Sequence, residues 1–449
     1  MENKIYKDYI TNMLRDFKAS NPLRFHMPGH KGNFSHPVLN LEYDVTELSK
    51  TDDLYLPEGA IEKSESQAAK FYNTKNTIFS PFGATSCIFT MLGIYKAISG
   101  KKLLIDRTSH KSVFNALGAL NLDFEYIYPD LISDFSIYDT LSINNIKESY
   151  THDIGGILIT SPNYYGITCD LKEISDFCKE KDILLMVDNS HGSHFFFNEQ
   201  KELHPLTFGV DFCVDSLHKT LPVSTGGALL HCNLDIEKSF IKKTMGVFYS
   251  SSPSYPIMSS IDSGLCYMFN EGEKLYKNFS KTLLDFKKRI KEKGLRIFEG
   301  DNFDNYKILI NLSDFGLSGH DFSKIMNENN IFCEMSDEEN ILLMVSPFNR
   351  AEDFDLFIDF LDKNLPENKT FSSHSPTLYE KREKKLSLHD CLFKSFEVID
   401  IKNAEGKICK DMIYNYPPGI PIILPGEIID KNVIEILTKK GYNEITIIK

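Results

Sequence analysis

The segment DSLHKTLP, residues 215–222, puts a serine, a histidine and a lysine at the end of an apolar run, FGVDFCVDSL. A single lysine in such a place is most often a solvated surface charge. A lysine amine at the end of a buried strand is also the group that forms a Schiff base with an aldehyde. The residues that follow the other strands of the chain decide between these two interpretations.

Polar residues also follow three other strand patterns. Arg107, Thr108, Ser109, His110 and Lys111 follow KKLLID; Ser161, Pro162, Asn163, Tyr164 and Tyr165 follow GGILIT; and Asn189, Ser190 and His191 follow DILLMVD, which ends at Asp188. In SPFGATSCIF, Gly83 and Ala84 lead into a helical pattern together with Thr85 and Ser86. Backbone N–H groups at a helix start, next to two hydroxyls, suit a phosphate group.

Together these groups suit pyridoxal phosphate. The aldehyde of this cofactor needs a lysine amine, here Lys219, and its phosphate needs hydroxyls and amides. A carboxylate, here Asp188, favours the protonated ring nitrogen that makes the ring an electron sink. An aromatic side chain stacked on the ring would hold its plane.

Each residue also has an ordinary structural interpretation. Asp188 fits a helix N-cap, and His110 and His191 fit hydrogen-bonded core histidines. Thr85 and Ser86 fit the first turn of any helix. The combination favours the cofactor site, because several strand ends are polar and complement a single ligand.

Strands must alternate with helices to bring these residues together. KKLLID (101–106), GGILIT (155–160), DILLMVD (182–188) and DFCVDS (211–216) predict strands that are buried on both faces. ATSCIFTMLGIYKAI, KSVFNALGAL and LKEISDFCKEK have helical spacing. The predicted fold class is therefore α/β, with a mainly parallel sheet whose ligand lies beyond the carboxyl ends of the strands.

The later part of the chain predicts further domains. A long charged helical pattern covers 266–294 and leads out of a large domain that we place at residues 1–280. Strand patterns at 306–312 and 340–347, with two helical patterns, predict a small α+β domain at 281–366. A polar linker and a compact C-terminal α+β domain occupy 367–449.

Composition excludes several classes of protein. The chain has 449 residues, a formal net charge of −13 and no basic tract, so we expect no nucleic-acid partner. Its nine cysteines include no CxxC pair, which argues against a zinc or other metal site and favours a reducing compartment. The N-terminus has an amphipathic helical pattern and not that of a signal peptide. No apolar run reaches the roughly 20 residues that span a bilayer, so we expect a cytoplasmic protein without a membrane partner.

Across nearly its whole length the sequence resembles the bacterial ornithine/lysine/arginine decarboxylases. The motifs that carry the resemblance are FHMPGHKG (25–32), TDDLYLPEGAI (51–61), DRTSHKSV (106–113), ITSPNYYGITCDL (159–171), VDNSHGSH (187–194), DSLHKTLP (215–222), SSSPSYPIMSSID (250–262) and YPPGIPIILPGE (416–427). The resemblance implies pyridoxal phosphate and the aspartate aminotransferase fold, also called fold type I. The last motif is typical of the family's C-terminal domain, and the length resembles the short form of these enzymes.

The resemblance also implies a role for each matching residue. Lys219 would form the Schiff base, Asp188 would pair with the ring nitrogen, His110 would stack on the ring, and His191 would line its other side. Thr85, Ser86, Ser216 and His218 would bind the phosphate, and Ser251 would reach the phosphate of a neighbouring subunit. The implied enzyme is a homodimer or higher oligomer with shared active sites. It would decarboxylate a basic amino acid, releasing CO₂ and a polyamine-type amine.

The sequence departs from the family pattern at a few positions. The usual DEAHG reads DNSHG, Asn163 replaces a threonine, and Phe82 and Ala84 stand where polar residues are common. These changes leave the substrate open, since we expect Asn163 and Asn189 near its side of the site. Asp52, Asp53 and Glu427 are candidates to bind its distal charge, although Asp53 also fits a turn.

Other reactions on the same fold, transamination or aldol cleavage, remain the alternative function. The intact lysine and aspartate argue against an inactive relative.

Overall fold

The structure is a computed structural model that describes residues 5–20, 31, 40–366, 381–415 and 419–449. The FHMPGHKG motif, apart from Lys31, and most of the predicted linker therefore lie outside the described residues. The helices are α1 (Tyr9–Ala19), α2 (Ala60–Tyr72), α3 (Ala84–Ile98), α4 (Lys111–Leu120), α5 (Ile143–Ser149), α6 (Leu171–Lys181), α7 (Leu217–Thr220), α8 (Lys238–Phe248), α9 (Tyr255–Glu292), α10 (Gly319–Glu328), α11 (Ala351–Asn364), α12 (Leu388–Cys391) and α13 (Lys431–Lys439).

The strands are β1 (Asn76–Ser80), β2 (Lys102–Asp106), β3 (Phe124–Ile127), β4 (Leu131–Ile132), β5 (Ile137–Tyr138), β6 (Ile154–Thr160), β7 (Leu184–Asp188), β8 (Phe212–Asp215), β9 (Ala228–Cys232), β10 (Arg296–Ile297), β11 (Lys307–Asn311), β12 (Met335–Ser336), β13 (Asn340–Met344), β14 (Phe396–Asp400), β15 (Ile413–Asn415), β16 (Ile420–Ile423) and β17 (Glu444–Ile448). The four strands and three helices predicted for the large domain are all present, with bounds that differ by at most two residues.

The chain divides into two compact units. The first comprises residues 1–99, 156–161 and 171–278, and its strands lie in the order β1-β9-β8-β7-β6. β6, β7 and β8 are parallel, and β9 runs antiparallel to both of its neighbours. Because β8 ends beside β7, with Asp188 paired to Val214, the polar residues after these two strands lie at the same edge of the sheet. The sequence analysis did not predict β1 and β9.

The apolar composition of these strands explains their burial. Leu185, Met186 and Val187 in β7 are at most 2% exposed, as parallel strands covered on both faces require. Charged residues come only at the strand ends, where side chains can reach a ligand or a helix terminus. The core therefore presents a rigid edge on which functional residues are held.

The second unit comprises residues 100–155, 162–170 and 279–449. Within it β2 and β3 are parallel, and an antiparallel sheet has the order β10-β11-β13-β12. A C-terminal core formed by β14–β17 and α13 buries apolar residues that include Ile423, Val433 and Leu437. None of the helices described is both long and apolar enough to cross a membrane.

Candidate active site

Lys219 lies in α7, the short helix that begins two residues after β8 ends. Its Nζ atom is 2.9 Å from Nε2 of His191, which is 5% exposed. The lysine itself is exposed in the single chain. The fold thus brings together the predicted Schiff-base lysine and the predicted ring-lining histidine. At this distance the two nitrogen atoms can share a proton.

Asp188 ends β7 and is 3% exposed. Its Oδ1 atom accepts hydrogen bonds from the backbone N–H of Ser190 at 3.1 Å and from its hydroxyl at 2.5 Å. Within the described part of the chain, Oδ2 accepts no hydrogen bond. The residue therefore closes a local turn and does not cap an α-helix, and it keeps one carboxylate oxygen available.

The predicted phosphate loop opens α3. Gly83 caps this helix with φ of 78°, a left-handed conformation that favours glycine, and a Cβ built there would meet nothing within 4 Å. Thr85 is exposed, with no hydrogen bond described. The hydroxyl of Ser86 instead donates to the carbonyl of Gly83 at 2.7 Å. Thr85 and the helix start are thus open to an anion, whereas the Ser86 hydroxyl is already bonded.

Ser216 and His218 flank Leu217 directly before Lys219. The Nδ1 atom of His218 is 3.4 Å from Ser216 Oγ and 3.2 Å from the carbonyl of Gly227. Since a carbonyl only accepts, Nδ1 carries a proton. Burial, with a smaller contribution from the charge of Lys219, lowers the pKa of His218. The lowered pKa therefore favours the neutral imidazole, with its proton on Nδ1.

His110 belongs to the second unit, where it caps α4. Its Nδ1 atom accepts from the Ser112 N–H at 3.2 Å. The preceding Arg107 is fully buried and donates to the carbonyls of Pro421 at 2.7 Å and Ile422 at 3.2 Å. The DRTSHKSV motif is thus anchored by the C-terminal YPPGIPIILPGE motif. The role of His110 beside the cofactor stays a prediction.

Ser251 lies in an exposed loop before α9, and no contact of its side chain is described. The loop is held by the Tyr55 hydroxyl, which donates to the Ser250 carbonyl at 2.7 Å. The cap of α9 is Ser254, whose Oγ accepts from the Ile257 N–H at 3.4 Å. Helix capping therefore explains Ser254 but not Ser251.

Three of the residues that depart from the family pattern make contacts with other residues of the chain. Asn163 Oδ1 accepts from the backbone N–H groups of Gly166 and Ile167, both at 3.0 Å, so it closes a turn. Asn189 is fully buried and donates to Asp215 at 2.5 Å. Phe82 stacks on Tyr249 with ring centroids 5.5 Å apart. The side chains of both asparagines thus have structural partners, which their sequence positions did not indicate.

The three carboxylates considered for the distal charge of a substrate also have partners. Asp52 accepts four backbone N–H bonds at the start of α2, from Asp53, Glu58, Gly59 and Ile61. Asp53 accepts from Tyr55 N at 2.7 Å, as expected for a turn residue. Glu427 accepts from the Tyr126 hydroxyl at 3.0 Å and from Leu424 N at 2.9 Å. All three hold the chain in place.

The sequence analysis missed a buried polar cluster behind the strand ends. Asp215 contacts His204, His231 and Asn189, and all four are fully buried. Asp215 stands within the DSLHKTLP motif, but nothing local marks it as more than a strand-end residue. The two histidines occur singly, 27 residues apart, so only the fold joins them.

Two family models match the chain. The model described as "Orn/Lys/Arg decarboxylase, major domain" matches residues 9–308, and the one described as "Orn/Lys/Arg decarboxylase, C-terminal domain" matches residues 369–440. The chain is similar to the arginine decarboxylase of Bacillus subtilis, with 28% identity over 95% of this chain and 92% of the relative. It is 21% identical to the inducible lysine decarboxylase of Escherichia coli, over 94% of this chain and 75% of that one.

Solved structures show the same fold. The lysine decarboxylase of Francisella novicida superposes with a TM-score of 0.83 and 18% identity, covering 100% of this chain and 82% of that one. A NifS-like protein superposes with a TM-score of 0.56 over 80% of this chain and 96% of that one. The predicted fold-type-I α/β architecture is confirmed. With the major-domain model covering about two thirds of its residues, the chain belongs to the Orn/Lys/Arg decarboxylase family of amino-acid decarboxylases.

Proposed function

We propose that this protein is a pyridoxal-phosphate-dependent decarboxylase of a basic amino acid: arginine, lysine or ornithine. The observation that carries the proposal is the pair of strand ends at β7 and β8. At the end of β7, Oδ1 of Asp188 is bonded to Ser190, and no hydrogen bond is described for Oδ2. After β8, the Nζ atom of Lys219 lies 2.9 Å from Nε2 of His191. A carboxylate for the ring nitrogen and an amine for the aldehyde are the two groups this cofactor requires.

The residues present fit the cofactor. The glycine-led start of α3 leaves open space where a Cβ would project, and the N–H groups of Ala84 and Thr85, with the Thr85 hydroxyl, suit a phosphate. Ser216 and His218 follow the neighbouring strand end. Asp188 and Lys219 supply the remaining two contacts, and we propose His110 and His191 for the two faces of the ring.

The bound cofactor supplies an electron sink, which accepts the electron pair left at Cα when the substrate carboxylate departs as CO₂. Asp188 Oδ2 would accept the ring N–H and so hold a positive charge at that nitrogen. His191 Nε2, beside Lys219 Nζ, is placed to take a proton from that amine or return one. His218, with a proton on Nδ1, would donate from Nε2 to a phosphate only as an imidazolium, a form that its lowered pKa disfavours and that an adjacent phosphate dianion would favour.

The substrate class rests on the relatives. The similar proteins named arginine decarboxylase and lysine decarboxylase extend over 92–97% of this chain. A net charge of −13 gives modest further support, since both substrates are cations. Transamination and aldol cleavage remain the alternative reactions, because neighbours of this fold include an aromatic aminotransferase.

One assay separates these functions. The protein, saturated with pyridoxal phosphate, is given arginine, lysine or ornithine in separate reactions, and CO₂, amine and keto acid are measured. We expect equal amounts of CO₂ and amine from one of the three, and no activity in the Lys219→Ala variant. Borohydride reduction followed by peptide mass analysis should find the cofactor attached to Lys219. Keto acid formed without CO₂ would instead establish transamination.

A further inference from the structure

A buried carboxylate lies directly behind the candidate site. Asp215 is the last residue of β8 and has no exposed surface. Its Oδ1 atom accepts from Nδ2 of Asn189 at 2.5 Å, and its Oδ2 atom lies 3.1 Å from Nε2 of His231 and 3.3 Å from Nε2 of His204. Three nitrogen atoms thus surround one carboxylate in the interior.

The Nε2 atoms of both histidines act as donors to Asp215. His204 Nδ1 accepts from the Leu206 N–H at 3.3 Å, so a ring proton is on Nε2 and is directed at Asp215. His231 Nδ1 is 2.9 Å from the Thr77 hydroxyl, which can donate to it. Burial alone would raise the pKa of Asp215, but the charge and hydrogen bonds of the two histidines outweigh it and lower that pKa. These donors therefore favour the ionised form of the buried Asp215 carboxyl group.

Such a group is costly to bury, and no lysine or arginine of the described chain forms an ion pair with it. The described residues, this cluster included, contain no group of three or more His, Cys, Asp or Glu that could hold a metal ion. The position of Asp215 suggests another role. Asn189 follows Asp188 directly, and Asp215 is followed by Ser216, which occupies the N-cap position of the helix that carries Lys219.

We propose that Asp215 is a positioning residue of the active site. Its hydrogen bond to Asn189 joins the two segments that carry Asp188 and Lys219, and the histidines fix the carboxylate that makes this bond. Together with the Asn189 N–H, which donates to the Val214 carbonyl at 2.9 Å, it sets the spacing between the ring-nitrogen partner and the amine. This inference rests on the proposed function, since it assumes that Asp188 and Lys219 bind the cofactor.

The same pair of strands offers a matched control. Asp211, the residue just before β8, accepts from the Leu185 N–H of β7 at 2.8 Å. It links the same strands through the same chemical group at their opposite end, away from Lys219. If Asp215 only stabilised the pairing of these strands, a change at Asp211 should therefore have the same effects as a change at Asp215.

The experiment compares Asp215→Asn with Asp211→Asn. Cofactor affinity of the apoenzyme, kcat, KM and the thermal midpoint are measured for both. Misplacing reacting groups costs about 10–100-fold, so Asp215→Asn should weaken cofactor affinity and lower kcat by that order, with KM less affected. Asp211→Asn should stay within about twofold of the parent in affinity and kcat, even where it lowers the thermal midpoint.

Asn189→Ala provides a second route should Asp215→Asn fail to fold. It removes one donor and leaves the carboxylate bonded to both histidines, and it should reduce cofactor affinity and kcat in the same direction. The double variant Asn189→Asp with Asp215→Asn restores an amide–carboxylate pair and should recover part of the loss.

Two results would overturn the inference. One is an Asn189→Ala protein with cofactor affinity and kcat at parental values. The other is an equal loss in Asp211→Asn and Asp215→Asn. A parent protein that binds no pyridoxal phosphate would instead reject the proposed function on which the inference rests.

Discussion

The two carboxylate oxygens of Asp188 have different surroundings, and this difference predicts the effect of an isosteric change. In Asp188→Asn the amide oxygen can keep both bonds from Ser190, so the turn after β7 should survive. The amide NH₂ would then face the ring nitrogen as a donor, which favours the unprotonated ring. We expect cofactor to remain bound on Lys219 while kcat falls at least about 100-fold, or about 2.7 kcal/mol.

The control for this change is Asp182→Asn. Asp182 is an exposed residue before the other end of β7, in a left-handed conformation that asparagine also adopts. Its kcat should match the parent. If Asp188→Asn kept kcat within about threefold of the parent, the ring-nitrogen role would be refuted.

At the scale of elements, the packing of α1 on α9 depends on a buried carboxyl group. Asp262 of α9 accepts from the backbone N–H groups of Ile10 at 2.8 Å and Thr11 at 3.4 Å, at the start of α1. Burial, with a smaller contribution from the charge of Asp8, raises the pKa of Asp262 to about 7, against the lowering effect of the Ser64 hydroxyl and of these N–H donors. The group thus binds a proton more tightly in the folded chain than in the unfolded chain.

The sign of the pH dependence follows. Between about pH 4, the ordinary carboxyl pKa, and pH 7 the folded state holds a proton that the unfolded state has lost, so stability should fall as pH rises through this range. Asp262→Asn removes this loss. The free energy of unfolding of Asp262→Asn minus that of the parent should therefore increase by roughly 2–4 kcal/mol between pH 4 and pH 8.

Urea unfolding at several pH values measures this difference. Asp285→Asn is the control, because Asp285 is an exposed residue of the same helix whose side chain is 63% exposed. It should leave the pH dependence unchanged. Parallel pH curves for the parent and Asp262→Asn would show that Asp262 has an ordinary pKa.

At the scale of the whole molecule, the exposed Ser251 predicts a shared active site. Its side chain has no described contact, although its loop is held by Tyr55. A two-fold dimer makes both sites alike, so chains with Lys219→Ala mixed with chains carrying Ser251→Glu should form some dimers with one intact site. We expect each variant alone to be inactive and the mixture to regain up to about one quarter of parental activity.

Ser254→Glu, at the N-cap of α9, is the matched control for a charge added to the same loop. Because this change alters a capping residue, it should lower the stability of the protein. The Ser254→Glu protein should nevertheless be active by itself, without being mixed with Lys219→Ala chains. Sedimentation of the parent at assay concentration supplies a separate measurement. Full activity in a sample that sediments as a monomer would exclude the shared site.

Local sequence was enough to predict most of the fold and to propose residues for the site. β7 and β8 could be predicted because runs such as LLMVD are apolar on both faces, and α3, α4 and α6 because their apolar residues recur at helical spacing. Lys219, Asp188 and His191 could be named because parallel strands place their following residues at one edge, and the motifs assigned roles to them.

Tertiary structure decided which polar groups are available for chemistry and which are already bonded. Thr85 and Ser86 are equivalent candidates in the sequence, but the hydroxyl of Ser86 donates to the Gly83 carbonyl, whereas no hydrogen bond of Thr85 is described. Asp52, Asp53 and Glu427 carry the right charge for a basic substrate, yet each is held by N–H or hydroxyl donors of its own chain. The cluster around Asp215 could not be predicted, because His204 and His231 are far from Asn189 in sequence. A hydrogen bond depends on the positions of both partners, and the fold alone brings such partners together.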